Sequence, residues 1–149
     1  SRAEAKELID GYFATYPGIR KFMDEAIQKA KTNGFVETIF GRKRYLADIN
    51  SQNSVVRGYA ERNAINAPIQ GSAADIIKIA MINIQKKLYE GNFKTQMTMQ
   101  VHDELNFTVP MDEKDKIQQL VVEEMEAAIS LKVPLIADCG TGINWLEAH

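Results

Sequence analysis

Three consecutive polar residues, His102, Asp103 and Glu104, stand where two apolar segments of the sequence meet. Apolar residues alternate before and after them, which is typical of the two arms of a half-buried antiparallel hairpin. Such a hairpin holds its carboxylates clear of the sheet. Mg²⁺ prefers carboxylate oxygens, and two-metal phosphoryl transfer needs them beside the reacting phosphate. Asp103 is therefore a candidate metal ligand. Because turns are rich in Asp and His102 can be a plain turn residue, a purely structural role stays open.

A second candidate group is a row of N–H donors, Arg62, Asn66 and Gln70, spaced four residues apart in an otherwise small and aliphatic segment. In a helix at least the first two share a face. The minor groove of every base pair offers acceptors, purine N3 and pyrimidine O2, in nearly equivalent places. Such a row could hold paired duplex without reading its sequence. The alternative is a polar helix face on which Asn66 and Gln70 cap the helix near Pro68.

Charge is unevenly distributed along the chain, although the formal net charge is only −2. Residues 41–62 carry five basic and two acidic side chains, whereas residues 111–149 carry eight acidic and three lysine side chains. Arg42 and Arg44, with Arg57 further along, would suit the backbone phosphates of a nucleic acid. The alternative is that both regions are ordinary solvated faces.

Composition excludes several classes of protein. The 149 residues include one cysteine and two histidines, so neither a disulfide framework nor a Cys/His zinc site can form. We find no apolar run of the roughly 20 residues that cross a bilayer and no signal peptide, so we expect an intracellular protein. The first residue is Ser1 rather than Met, which suggests a processed product or a piece of a larger protein.

Capping residues and apolar spacing predict helices joined to short antiparallel hairpins, an α+β fold with long helices packed on a small sheet. The helices are expected over residues 1–15, 17–33, 53–89 and 112–131, the hairpins over 35–46 and 94–110, and a final strand over 135–139. The tip of the first hairpin is expected to be the basic run 41–44.

Further details of this pattern depend on individual residues. Asn50 or Ser51 is expected to cap the long helix and Asp112 the last one. Pro68 removes a backbone donor, so we expect a kink or break between residues 66 and 70. The aromatic side chains of the first two helices (Tyr12, Phe13, Tyr16 and Phe22) are spaced as core, and Cys139 is expected to be a small hydrophobe in the last strand.

Several sequence runs resemble the C-terminal part of the bacterial A-family DNA polymerases. They are Phe40 to Leu46, Arg62 to Asp75, Gln100 to Leu105 and Gly142 to His149. The likeness extends over essentially the whole chain. It implies that residues 1–70 belong to the fingers, with the basic hairpin and the start of the long helix, and that residues 71–149 belong to the palm.

The resemblance also implies roles for individual residues. Asp103 would be a palm metal carboxylate, with Glu104 in a supporting role and His102 against the primer's terminal nucleotide. The donor row would contact the primer–template near its newest base pair, Arg62 and Gln70 on the primer and minor-groove side and Asn66 toward the template. Primer–template DNA and dNTP would be the partners, and two Mg²⁺ ions the cofactor.

The resemblance further implies that parts of the enzyme lie outside this chain. The family's second metal-binding Asp, in an Asp-Tyr-Ser-type motif, does not occur here, so we expect the chain alone to be inactive. The expected setting is the bacterial cytoplasm, associated with the nucleoid. The rival hypothesis is a non-catalytic nucleic-acid-binding or interaction domain. A third is a fragment that self-associates through exposed apolar surface.

Overall fold

The computed structural model describes residues 1–148 and has an α+β fold, as predicted. In chain order the elements are α1 (Arg2–Thr15), α2 (Pro17–Asn33), β1 (Phe35–Glu37), β2 (Lys43–Tyr45), α3 (Ser54–Glu90), β3 (Gln96–Val101), β4 (Glu104–Thr108), α4 (Lys114–Glu126) and α5 (Trp145–Ala148). β1 pairs with β2, and β3 with β4, in two antiparallel two-stranded sheets. The chain divides into two compact units, Ser1–Ser72 and Ala73–His149. Among the described residues no helix is long and apolar enough to span a membrane.

Local capping sets the ends of the first two helices where the sequence predicts them. Ser1 Oγ accepts from Glu4 N at 3.3 Å, which closes a capping box at the start of α1. Pro17 occupies the first turn of α2, where a missing N–H costs nothing. Gly34 ends α2 with a φ of 78°, and its N–H donates to Ala30 O at 2.8 Å.

The aromatic side chains of the first two helices are not buried core residues, so that prediction is wrong. α1 has no buried residue, and the exposed fractions of Tyr12, Tyr16 and Phe22 are 49%, 53% and 41%. Three of the rings pack on one another: the Tyr12 centroid lies 5.5 Å from that of Phe13 and 5.2 Å from that of Tyr16. Helical periodicity identifies an apolar face, but it does not say whether another part of the same chain covers that face.

The core of the first unit is built on small side chains of α3. Ala60, Ala64 and Ala67 are buried against residues from α2 and the β1–β2 hairpin. Alanine lets neighbouring backbone approach the helix closely. Lys31 Nζ reaches Glu61 Oε1 at 2.7 Å, and this hydrogen bond lowers the pKa of Glu61 below its usual value.

The first hairpin is shorter than predicted and its tip lies earlier in the sequence. Lys43 and Arg44 lie in β2, paired with Glu37 and Val36, so they are not part of the tip. Residues 38–42 form the loop. Thr38 Oγ1 accepts from Phe40 N at 3.3 Å and from Arg42 N at 3.2 Å, which holds the loop in a tight turn and sets where the strands begin.

α3 continues from Ser54 to Glu90 without a break at Pro68, so of the predicted kink or break the break is wrong. Proline removes one hydrogen bond, but the bonds on either side of it keep the helix continuous. The cap is also displaced from the predicted Asn50 or Ser51. Asn53 Oδ1 accepts from Val55 N at 2.9 Å and from Val56 N at 3.4 Å.

The core of the second unit forms between the C-terminal half of α3, the β3–β4 hairpin and α4. Ala80, Ile84, Leu88, Ile117 and Val121 are its buried residues. The alternation predicted for β3 is interrupted by a register shift between Met97 and Met99.

Glu113, and not the predicted Asp112, organises the start of α4, and the helix ends at Glu126 rather than near residue 131. The Glu113 carboxylate accepts from Lys94 N at 2.8 Å, from Thr95 N at 3.0 Å and from Thr95 Oγ1 at 2.7 Å. The Lys94 backbone N–H is the largest influence and the Thr95 hydroxyl the next, and both lower the pKa of Glu113 below its usual value. This carboxylate ties α4 to the chain that leads into β3.

The predicted final strand is absent, because residues 135–139 are irregular. A strand needs a partner, and none of the four strands in the described part of the chain pairs with this segment. Cys139, predicted to be a small hydrophobe in that strand, is therefore not in a strand, and it is exposed.

Replacing Ile84 by alanine should lower the free energy of unfolding by about 3 kcal/mol, because it leaves a cavity in the core of the second unit. Ile84 is 0% exposed, whereas Ile82 of the same helix is 67% exposed and is the matched control. Ile82→Ala should change stability by less than about 0.5 kcal/mol. Urea unfolding followed by far-UV circular dichroism measures both, and equal effects would contradict this account of the core.

Acid should weaken the fold in part through Glu113. Because its pKa is lowered in the folded state, its contribution is complete above the ordinary glutamate value of 4.5 and is lost as the pH falls through the folded value. Glu113→Gln should therefore be less stable near neutral pH and show a shallower loss of stability on acidification. Asp112→Asn, the matched control, leaves the hydrogen bonds of Glu113 in place and should retain the steeper loss. Urea unfolding from about pH 6 to about pH 3 tests this, and parallel profiles for all three proteins would refute it.

Candidate nucleic-acid interface and carboxylate hairpin

The predicted donor row lies along one solvent-facing side of α3. Arg62, Asn66 and Gln70 are all exposed, whereas alanines of the same helix segment are buried on the other side. Successive residues four apart advance by about 40° around a helix, so the three side chains stay within a quarter turn of each other. The helix therefore presents three polar side chains with N–H donors in a row.

The β1–β2 hairpin brings two of the predicted basic residues beside this row. Arg42, Arg44 and Gln70 all line one shallow cleft of about 70 Å³, whose wall also includes Glu37. Sequence spacing alone gave no indication that the hairpin and the end of the row are neighbours. The structure thus joins two features that the sequence presented separately.

Hydrogen bonds within the protein hold several of the basic side chains. Arg42 Nη2 donates to Gly71 O at 3.1 Å, and Arg57 Nη1 donates to Ser51 O at 2.8 Å. Arg44 Nη2 lies 3.4 Å from Asn63 Oδ1. The guanidinium carbon of Arg62 lies 5.9 Å from the centroid of the Tyr59 ring. Each of these contacts restricts where the positive charge can lie.

The polar triplet forms the reversal of the second hairpin, with one correction to its predicted position. His102 and Asp103 form the turn and are exposed, whereas Glu104 already lies in β4, paired with Val101. His102 has a φ of 55°, in the left-handed region that the turn requires. The Gln100 side-chain amide donates to the His102 carbonyl oxygen and braces the turn.

Glu104 has a partner that sequence reasoning missed. Trp145 Nε1, at the start of α5, donates to Glu104 Oε1 at 2.7 Å. The two residues are 41 positions apart, so neither spacing nor composition could have linked them. The contact fixes one carboxylate oxygen of Glu104, the residue that directly follows Asp103 in the chain.

The carboxylate hairpin could supply only part of a metal site. Within residues 1–148 no three His, Cys, Asp or Glu side chains are grouped so that they could hold an ion. Mg²⁺ is commonly held by one or two carboxylates together with water and substrate phosphates. The exposed Asp103 fits the role of one such carboxylate, with the remaining ligands supplied from elsewhere.

Comparison with known proteins places these features in one family. The family model described as DNA polymerase family A matches residues 1–147. The chain is 55% identical to DNA polymerase I of Streptococcus pneumoniae over 148 residues, which are 99% of this chain and 17% of that protein. It is 52% identical to DNA polymerase I of Caldicellulosiruptor bescii over 147 residues, again 99% of this chain and 17% of the relative.

A solved structure is similar to this chain over nearly its full length. The POL domain of Pol1 from M. smegmatis, determined in complex with DNA primer-template and dNTP, matches with a TM-score of 0.97 and 43% sequence identity. The match covers 99% of this chain and 26% of that one. The chain thus spans about a sixth of the length of these curated relatives. With a family match across nearly every residue, the chain belongs to DNA polymerase family A.

Proposed function

We propose that this chain is part of a template-directed DNA polymerase that adds dNTPs to the 3′ end of a primer in DNA replication or repair. The observation that carries the proposal is the match over 99% of the chain to a polymerase domain solved with DNA primer-template and dNTP. In the intact enzyme the primer 3′-hydroxyl attacks the α-phosphorus of the dNTP, and pyrophosphate leaves. We further propose that residues 1–70 belong to the fingers and residues 71–149 to the palm, at the C-terminal end of the enzyme. The enzyme would act on the nucleoid in the bacterial cytoplasm.

The exposed donor row and the cleft beside it are the proposed DNA-binding surface. Arg62 and Gln70 donate to the minor-groove acceptors on the primer side of the newest base pair, and Asn66 lies toward the template. Because purine N3 and pyrimidine O2 occupy nearly equivalent places in all pairs, these donors test pairing geometry and not sequence. Arg44 contacts backbone phosphate. Arg42 and Arg57 add positive charge, and the hydrogen bonds that their guanidinium groups donate to backbone carbonyl oxygens hold them in place.

The carboxylate hairpin is the proposed contribution of this chain to catalysis. Two Mg²⁺ ions, when bound, stabilise negative charge on the reacting phosphate and lower the pKa of the attacking hydroxyl. Asp103 would hold metal through its exposed carboxylate. Glu104 would support that position: it directly follows Asp103 in the chain, and Trp145 Nε1 donates to its Oε1. His102 lies at the turn, where its ring can contact the terminal nucleotide of the primer.

Replacing Asp103 by asparagine in the full-length polymerase that carries these residues should reduce nucleotide incorporation at least about a hundredfold. Asparagine keeps the size of the side chain but removes the charge that a metal ligand needs. Affinity for primer–template should stay within about twofold, because Asp103 is not among the donors that hold the duplex. The control is Asp112→Asn, an exposed acidic residue outside the turn. Single-turnover extension and anisotropy titration measure the two effects, and near-normal incorporation by Asp103→Asn would exclude the metal assignment.

Replacing Gln70 by alanine should weaken binding of primer–template by about fivefold, the loss expected for one neutral hydrogen bond. The loss should be equal for primer ends that finish in A·T and in G·C pairs, because both present the same acceptors. The dependence of extension on Mg²⁺ concentration should not change. Gln28→Ala, an exposed glutamine of α2, is the matched control. Titration with labelled duplexes measures the affinities, and a loss confined to one base pair would contradict the minor-groove role.

A further inference from the structure

We propose that Thr38, Gly71 and Ser72 are positioning residues that lock the β1–β2 hairpin onto α3, so that Arg44 and Gln70 hold DNA as one unit. This inference rests on the proposed function and deepens it. None of the three residues is among the proposed DNA contacts. Their effect on binding is exerted through the hairpin and helix they join, and it rests on three sets of contacts.

Ser72 makes the first connection between the hairpin loop and the helix. It is buried, and its Oγ accepts from the backbone N–H of Ile39 at 2.9 Å, across 33 residues of sequence. The same hydroxyl donates to Pro68 O, one turn back along α3. Its single proton is thus donated to the helix, and one of its two lone pairs accepts from the loop. A side chain without a hydroxyl would leave the Ile39 N–H without this acceptor.

Gly71 allows the loop to lie directly on the helix surface. A Cβ at this position would lie 2.7 Å from Thr38 Cγ2 and 3.3 Å from Arg42 Nη2. The first distance is well inside van der Waals contact, so any larger residue would push the loop away. Arg42 Nη2 in turn donates to Gly71 O at 3.1 Å. The contact therefore depends on the absence of a side chain and on an accessible carbonyl oxygen.

Thr38 shapes the loop that is held in this way. It is buried, with its methyl group toward Gly71 and its hydroxyl accepting from the Phe40 and Arg42 backbone N–H groups. Its own N–H donates to Arg42 O at 3.0 Å. Thr38 consequently fixes where β2 starts, and with it the position of Arg44 two residues after the loop.

These contacts surround the cleft that Arg44 and Gln70 share. Gln70 directly precedes Gly71 in α3, and Arg44 follows the loop in β2, and both side chains line the same 70 Å³ space. If the loop moves off Gly71, Arg44 is no longer held at a fixed position relative to Gln70. The two side chains should then no longer contact the phosphate and the minor groove of one duplex together.

The first test needs no DNA. In Ser72→Ala the Ile39 amide should exchange with solvent at least about tenfold faster than in the wild-type chain. Ser72→Thr, which keeps the hydroxyl, should restore slow exchange. Hydrogen exchange followed by NMR measures this in the 149-residue chain. Unchanged exchange in Ser72→Ala would overturn the proposed lock, whatever the chain does with DNA.

The second test is a double-mutant cycle on binding of a fluorescein-labelled primer–template duplex, read by anisotropy at several salt concentrations. Arg44→Ala alone should weaken binding and reduce the salt dependence by about one counterion. In the Gly71→Ala background the loss of affinity caused by Arg44→Ala should be smaller by about threefold or more, because Arg44 is already misplaced. Gly18→Ala, at a helical glycine where an added Cβ meets nothing within 4 Å, should leave the full effect of Arg44→Ala intact.

The outcomes separate the two proposals. If Arg44→Ala weakens binding equally in the wild-type and Gly71→Ala backgrounds, the positioning role is overturned while the DNA-binding surface stands. If the wild-type chain shows no salt-dependent binding, the proposed DNA-binding surface fails and the positioning role fails with it. The positioning role is supported by two results together. Gly71→Ala must reduce the effect of Arg44→Ala on DNA binding, and Ser72→Ala must accelerate exchange of the Ile39 amide while Ser72→Thr restores slow exchange.

Discussion

The packing of α3 is the constraint on which both compact units depend. Its first half contributes buried alanines to one core, and its second half contributes Ala80, Ile84 and Leu88 to the other. Small residues in the first half let the β1–β2 hairpin approach closely, while larger aliphatic residues in the second half fill the space under β3, β4 and α4. The side of the first half that packing leaves free carries the row of donors. Core formation and presentation of the proposed DNA contacts are therefore two sides of the same helix.

Hydrogen bonds between residues distant in sequence place the two proposed functional groups. In the first unit a serine hydroxyl and a glycine carbonyl of α3 hold the hairpin loop. In the second unit the Glu113 carboxylate holds the chain entering β3, and Trp145 holds the carboxylate next to Asp103. Three of these four bonds join a side chain to a backbone group, and the fourth joins the Trp145 and Glu104 side chains. A rigid frame of this kind matters where side chains must meet a ligand within fractions of an ångström.

Sequence reasoning succeeded where structure is decided locally. The starts of α1 and α2, the end of α2 at Gly34, the antiparallel pairing around His102 and Asp103, and the α+β class were all predicted correctly. The family was identified from short runs of residues, and the comparisons confirm it. Local spacing also defined the donor row, whose members are exposed together on α3.

Most of the wrong predictions concern features that depend on contacts with residues distant in the sequence. An apolar stripe predicted the aromatic residues of α1 to be core, but nothing in residues 1–148 covers them fully. A β-rich run around Cys139 predicted a strand without identifying its partner. Pro68 does not break α3, because the helix hydrogen bonds on either side of the one it removes keep the helix continuous. The links from Ser72 to Ile39 and from Trp145 to Glu104 leave no signal in local spacing at all.

The left-handed backbone conformation of His102, with a φ of 55°, restricts which amino acids can occupy the tip of the second hairpin. Glycine, asparagine, aspartate and histidine tolerate this conformation, whereas valine, isoleucine and threonine are disfavoured by their branched Cβ. The backbone conformation alone therefore limits position 102, which precedes Asp103, to a few amino acids. Any role proposed for the ring of His102 must be compatible with this turn, so few substitutions are expected at position 102.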